Sequence, residues 1–138
     1  MILKRLRAAD EGQALIEFAL VLPVLLIMIV GIIEFGRAWN LHQVLTDAAR
    51  EGARKAAISN ASITQDSVIN TVKTALSLGK ANYNQATITT PGWDGLQGTP
   101  VTVNVSLPYR FTFFGALIGW ATGARTITLR TSFTMRNE

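Results

Sequence analysis

The sequence predicts an α+β protein. It reads as a long N-terminal transmembrane helix continuing into an extracytoplasmic stem, then a second helix, then a three-stranded antiparallel sheet. Three observations predict this. Residues 14–33 form a run of twenty in which Glu17 is the only charged side chain. The next stretch, to about residue 58, keeps apolar residues at three- and four-residue spacing with no proline. Beyond residue 100 the apolar period falls to two, the signature of half-buried antiparallel strands.

Twenty helical residues span roughly 30 Å, the hydrocarbon thickness of a bilayer. Lys4, Arg5 and Arg7 precede the run closely, whereas beyond Arg37 the next bases are Arg50, Arg54 and Lys55. The positive-inside bias therefore keeps the N-terminus in the cytoplasm and sends the rest outside. A cleaved signal peptide fits less well: its apolar region is about 7–15 residues long and ends at a small-x-small site. This run is longer and ends in "GIIEFGRAW". The expected organisation is a basic cytoplasmic leader at 1–12, the span at 13–36, and an exported stem and head at 37–138.

In the stem, Ala48, Gly52 and Ala56 form one row at four-residue spacing, and Ala49, Ala53 and Ala57 form the next. Such rows let another element approach closely. That element is either the chain's own sheet or a neighbouring subunit. The opposite face carries Asp47, Arg50, Glu51, Arg54 and Lys55, with Glu51 and Lys55 at the favourable i,i+4 order. "SNAS" at 59–62 breaks the rod. A second helix follows, capped by Ser62 or Thr64, with Val68, Ile69, Val72, Ala75 and Leu76 as its core stripe and Gly79 as its stop.

"ATITT" (86–90) reads as a first strand and the turn-rich "PGWDGLQGTP" leads to the second. "VTVNVSL" puts Val101, Val103, Val105 and Leu107 inward. "TITLRTSFTMR" does the same with Ile127, Leu129, Phe133 and Met135. Between the last two strands lie Phe111, Phe113, Phe114, Leu117, Ile118 and Trp120, a run too short to cross a bilayer. It either closes the core beneath the sheet or forms an apolar patch that meets a partner or the membrane surface.

Chemistry leaves little trace in this chain. Of 138 residues, 49% are hydrophobic and 16% charged, and none is cysteine, so no disulfide or thiolate metal site is expected. The single histidine, His42, has no second ligand in register, and no catalytic triad, phosphate loop or dinucleotide fingerprint is present. No enzyme activity, metal or cofactor is expected. The part beyond residue 36 carries ten Lys/Arg against five Asp/Glu. These bases are scattered, as on a solvated basic surface, so no specific nucleic-acid partner is expected; the rival reading is a membrane-anchored periplasmic binding module for a ligand or polyanion.

Glu17 is the remaining question. At the bilayer midplane a carboxylate costs ~2.5–3.5 kcal/mol, an upper bound for one near the cytoplasmic end of the span. "IEF" occurs at 16–18 and again at 33–35, where Glu34 has Arg37 at i+3. The two copies point about 100° apart, so they make no common polar seam.

The stretch "GQALIEFALVLPVLLIMIVGIIEFGRAWNLHQVLTDAAREGARKAA" (12–57) resembles the TadE-like proteins of tight-adherence (Tad) pili, through "GQALIEFALVLP", "EFGR" and "AAREGAR". The resemblance implies a pilin-like fold and a type IV pilin-like minor pilin or pseudopilin, serving pilus assembly, adhesion or secretion through helix packing. It implies prepilin-peptidase cleavage after Gly12, leaving Gln13 as the new N-terminus, and Glu17 and Phe18 as the assembly residues at mature positions five and six. It also implies the partners: the membrane, other pilins or pseudopilins, the prepilin peptidase and the pilus assembly platform. The implied location is the inner membrane or the pilus. The aromatic residues Phe111, Phe113, Phe114 and Trp120 stay a candidate partner patch.

Overall fold

The computed structural model describes residues 2–58, 63–115, 119, 123 and 125–138, with side chains from residue 12 onward. Its first element is a continuous helix, α1 (Ile2–Ala56), roughly 80 Å long. The helix therefore begins well before residue 13, and the leader shares it. No residue from 13 to 33 is buried; Leu20, for example, is 71% exposed. A surface of Leu, Ile, Val and Phe exposed all round is unfavourable in water and suits lipid. Within it Pro23 has no N–H to donate to the carbonyl of Ala19. In water an interior proline costs ~3 kcal/mol, whereas membrane helices tolerate it.

The outer half of α1 is the base of the head. Helix α2 (Gln65–Leu78) starts at Thr64, whose hydroxyl accepts the Ser67 N–H while Ser67 Oγ accepts the Thr64 N–H, both at 3.2 Å. The alternative cap, Ser62, lies outside the described residues, as does the 59–62 break. After a single 3₁₀ turn at Tyr83–Gln85 come β1 (Thr87–Thr89), β2 (Pro100–Arg110) and β3 (Thr126–Arg136). They form one antiparallel sheet in the order β1-β2-β3, with Ile88 opposite Val105 and Val103 opposite Phe133.

Val101, Val103, Val105 and Leu107 on β2 are buried against Leu45, Ala48, Ala49 and Ala53 of α1 and Val68, Val72 and Leu76 of α2. Leu129, Phe133 and Met135 of β3 are partly buried on the same side. Two details differ from the sequence reading. Thr131 also faces inward, its hydroxyl 3.4 Å from that of Thr46, while Ile127 is 41% exposed, outside the buried core. On the stem's outer face Glu51 pairs with Arg54 rather than Lys55, because the guanidinium fork takes both carboxylate oxygens at 2.7 and 3.2 Å.

The chain's end closes the head. The Asn137 side-chain amide donates to the Gly95 carbonyl at 3.1 Å and to Thr99 Oγ1 at 3.2 Å, organising the 91–99 turn. The Glu138 N–H donates to the Ala57 carbonyl at 2.8 Å, tying the last residue to the end of α1.

Gly52 sits where α1, α2 and β2 meet. A methyl there would collide with Val72 Cγ2 and stand 3.3 Å from Val103 Cγ1. Overpacking of this kind costs about 1–3 kcal/mol, and 1 kcal/mol moves the midpoint of a domain this size by roughly 4–8 °C. Calorimetry of detergent-solubilised Gly52→Ala is expected to show a midpoint lowered by several degrees. Combined with Val72→Ala, the loss should fall short of the sum of the two single losses, because the colliding methyl is gone.

Candidate functional site

Towards its N-terminal end, α1 runs unbroken through Gly12 and Gln13. A methyl added to Gly12 would meet nothing within 4 Å, so among the described residues no packing requires a glycine there. Gln13, Glu17 and Phe18 are exposed. Glu17 follows Gln13 by four residues, one turn on along the same flank of the helix. Among the described residues, Glu17 makes no ion pair.

The six stem residues have a different environment. Ala48, Ala49, Gly52, Ala53, Ala56 and Ala57 are all buried beneath the chain's own α2 and sheet. Their small size is consumed within the head, and the face of the stem left to solvent is the charged one. Surface from residue 13 to about 40 is what the helix presents elsewhere.

A second carboxylate, Glu34, occupies the junction of span and head. It is the first residue past the apolar run, yet it is only 2% exposed. Its Oε2 accepts the Thr112 backbone N–H at 3.0 Å, and its Oε1 accepts Arg37 Nη1 at 3.4 Å. The same Nη1 donates to Thr112 Oγ1 at 3.1 Å, and the Tyr109 hydroxyl donates to the Glu34 carbonyl at 3.4 Å. The helix's exit is thus pinned to the end of β2. Burial raises the Tyr109 phenol above its ordinary pKa of 10.0; the Glu34 carboxylate adds to the shift and the Arg37 guanidinium opposes it. The sequence spacing predicts Arg37, at i+3, as the partner of Glu34. The pair exists, but its main partner is a backbone N–H seventy-eight residues away, which no local spacing reveals.

Phe111, Phe113 and Phe114 follow β2 directly. Phe114 lies over Gly31, and Phe111 and Phe114 share an apolar groove of about 420 Å³ with Phe35, Trp39, Ile127 and Leu129. Phe113 is 61% exposed beside it. The fourth aromatic of the expected patch, Trp120, lies outside the described residues, as do Leu117 and Ile118. Trp39 stacks between Phe35 and His42 at centroid distances of 6.0 and 6.3 Å, so the lone histidine belongs to an aromatic ladder. Among the described residues no three His, Cys, Asp or Glu side chains gather where a metal ion would sit.

A family model described as TadE-like protein matches residues 12–54, the exposed span together with the stem as far as Arg54. No curated protein and no solved structure matches the chain.

Two predictions follow from the junction. Removing the buried acceptor leaves the Thr112 N–H unsatisfied, which costs about 1–3 kcal/mol. Glu34→Leu should accordingly loosen the 109–115 segment, read as faster limited proteolysis there, and Glu34→Gln, which keeps an acceptor oxygen, should do so less. For Tyr109, the raised folded-state pKa means that the unfolded chain ionises first. Its contribution to stability is therefore complete below pH 10 and is lost progressively above it. Thermal melts across alkaline pH should show a shallower decline in Tyr109→Phe than in the wild type.

Proposed function

Residues 12–54 match the TadE-like family, and on that premise we propose that this chain is a minor pilin or pseudopilin of a Tad-type pilus. In this reading it is anchored by a single pass with the N-terminus in the cytoplasm, and it assists pilus assembly by packing its helix against other pilin helices. The observation that carries the reading is the family match lying on a helix whose first half is exposed and apolar on every side, joined to a small α+β head.

The chemistry at the helix start follows from the cost of a charge in lipid. Cleavage after Gly12 by a prepilin peptidase creates an α-amino cation at Gln13. Glu17, one turn away or on an adjacent subunit, offers that cation a partner, and the alternative for either group is an unpaired charge at low dielectric. Such a pair rewards one axial register between neighbouring helices. The assembly surface falls on the span and on the turns just outside it, because the alanine rows of the stem are already covered by the head. Pilus subunits and the assembly platform are the proposed partners; adhesion or secretion is the proposed purpose.

Mass spectrometry of the native protein tests the processing step. A mature chain beginning at Gln13 is expected, with Gly12→Ala abolishing the cut; a chain retaining Met1 overturns it. Glu17→Gln is expected to insert into the membrane normally and to reduce pilus assembly at least tenfold, counted by electron microscopy. Undiminished piliation would return Glu17 to the role of an ordinary interfacial carboxylate.

A further inference from the structure

We propose that the head seats its apolar groove on the outer leaflet, with phospholipid acyl chains as the occupant of the space between α1 and the Phe111–Phe114 segment. This rests on residues 14–33 being the membrane span.

Depth along the helix locates the groove. A methyl built on Gly31 would stand 3.6 Å from Phe114 Cζ, so the Phe114 ring is level with Gly31. Gly31 lies two residues inside the outer end of the apolar run, about 3 Å. The ring is therefore at the hydrocarbon boundary. It enters the boundary region, or else the last turn of the span is drawn out into water with Ile32 and Ile33, both exposed in this fold. The groove above it is continuous with the bare surface of the span, so the lipid that covers one covers the other. Its walls are almost wholly apolar, and the Glu34 carboxylate at its floor is already engaged by Arg37 and the Thr112 N–H.

The rim matches lipid as well. Phe35 and Trp39 stack along the flank of α1, at the level where interfacial aromatic side chains gather. Arg37, about 6 Å beyond the end of the run and half-exposed, is placed to meet a phosphate headgroup. Ile127 lines the groove from β3, and Phe113, next to the lining residue Phe114, is exposed; both present apolar surface with no cover from this chain's described residues. Such seating restricts how the head tilts relative to the bilayer, and so sets the angle from which a neighbouring helix is approached.

The chain has no cysteine, so single-cysteine variants of the full-length protein test this directly. Phe113→Cys, Leu20→Cys and Ser132→Cys, each carrying an NBD fluorophore, are reconstituted in phosphatidylethanolamine/phosphatidylglycerol vesicles containing doxyl-labelled phosphatidylcholine. Leu20 lies in the span and Ser132 on the exposed face of β3. The Phe113 label is expected to be quenched several-fold more than the Ser132 label, most strongly by a doxyl group near the headgroup. Ile127→Cys provides a second reporter, on β3 and within the groove, should the Phe113 label disturb its own segment. Quenching at Phe113 and Ile127 equal to that at Ser132, with Leu20 strongly quenched, overturns the seating and leaves the anchor intact. Cross-linking of the Phe113 position to a second copy, without lipid quenching, overturns it in favour of a protein occupant. An unquenched Leu20 label overturns the span itself and the seating with it.

Discussion

The close approach of α1 to α2 and β2 at Gly52 is the constraint on which the head depends. With no disulfide available, the head holds by packing and hydrogen bonds, and a single layer of valines and leucines must be shared among two helices and a sheet. That sharing works because one face of the stem is built from alanine and glycine. Larger residues would push α2 away from β2, separating Val72 from Val103 and opening the core that both close. The cost of a void or a clash in such a layer is high relative to the few kcal/mol that a small domain has in reserve.

A consequence runs along the helix towards the membrane. Since α1 is continuous, the head's position on the stem also determines what happens at the span's outer end. The sheet reaches down past Leu107 to Tyr109, and the chain then turns over Glu34. A carboxylate in that place would be costly if left alone, so the fold surrounds it with a backbone N–H and a guanidinium. These bonds join the outer end of the apolar stretch directly to the head.

The two glutamates of the repeated "IEF" thereby separate in character. Glu34 is satisfied within the chain and acts as a structural fastener. Glu17 lies on an exposed helix, without an ion-pair partner among the described residues. The TadE-like match extends across both. One sequence motif thus occupies two physical settings, differing in whether the chain folds back to cover it.

Periodicity alone determined the order of elements: the twenty-residue apolar run, the three- and four-residue spacing of the stem and of α2, and the alternation of β2 and β3 are local patterns, each tied to one backbone geometry. The residues that carry the TadE-like resemblance were equally legible, being contiguous. Which surface the alanine rows meet was decided only by the tertiary structure, because small side chains permit a close approach without naming the partner. The same holds for Glu34, whose accepting oxygen finds its donor at Thr112, and for Asn137, which closes a turn forty residues earlier. Thr131 faced the core for a related reason: alternation placed it there, and its polarity concealed it until Thr46 supplied a partner. Hydrogen bonds between residues far apart in sequence leave no period behind. They are set by where the chain returns, and that return is made possible here by a stretch of α1, residues 48–56, whose buried positions carry nothing larger than a methyl.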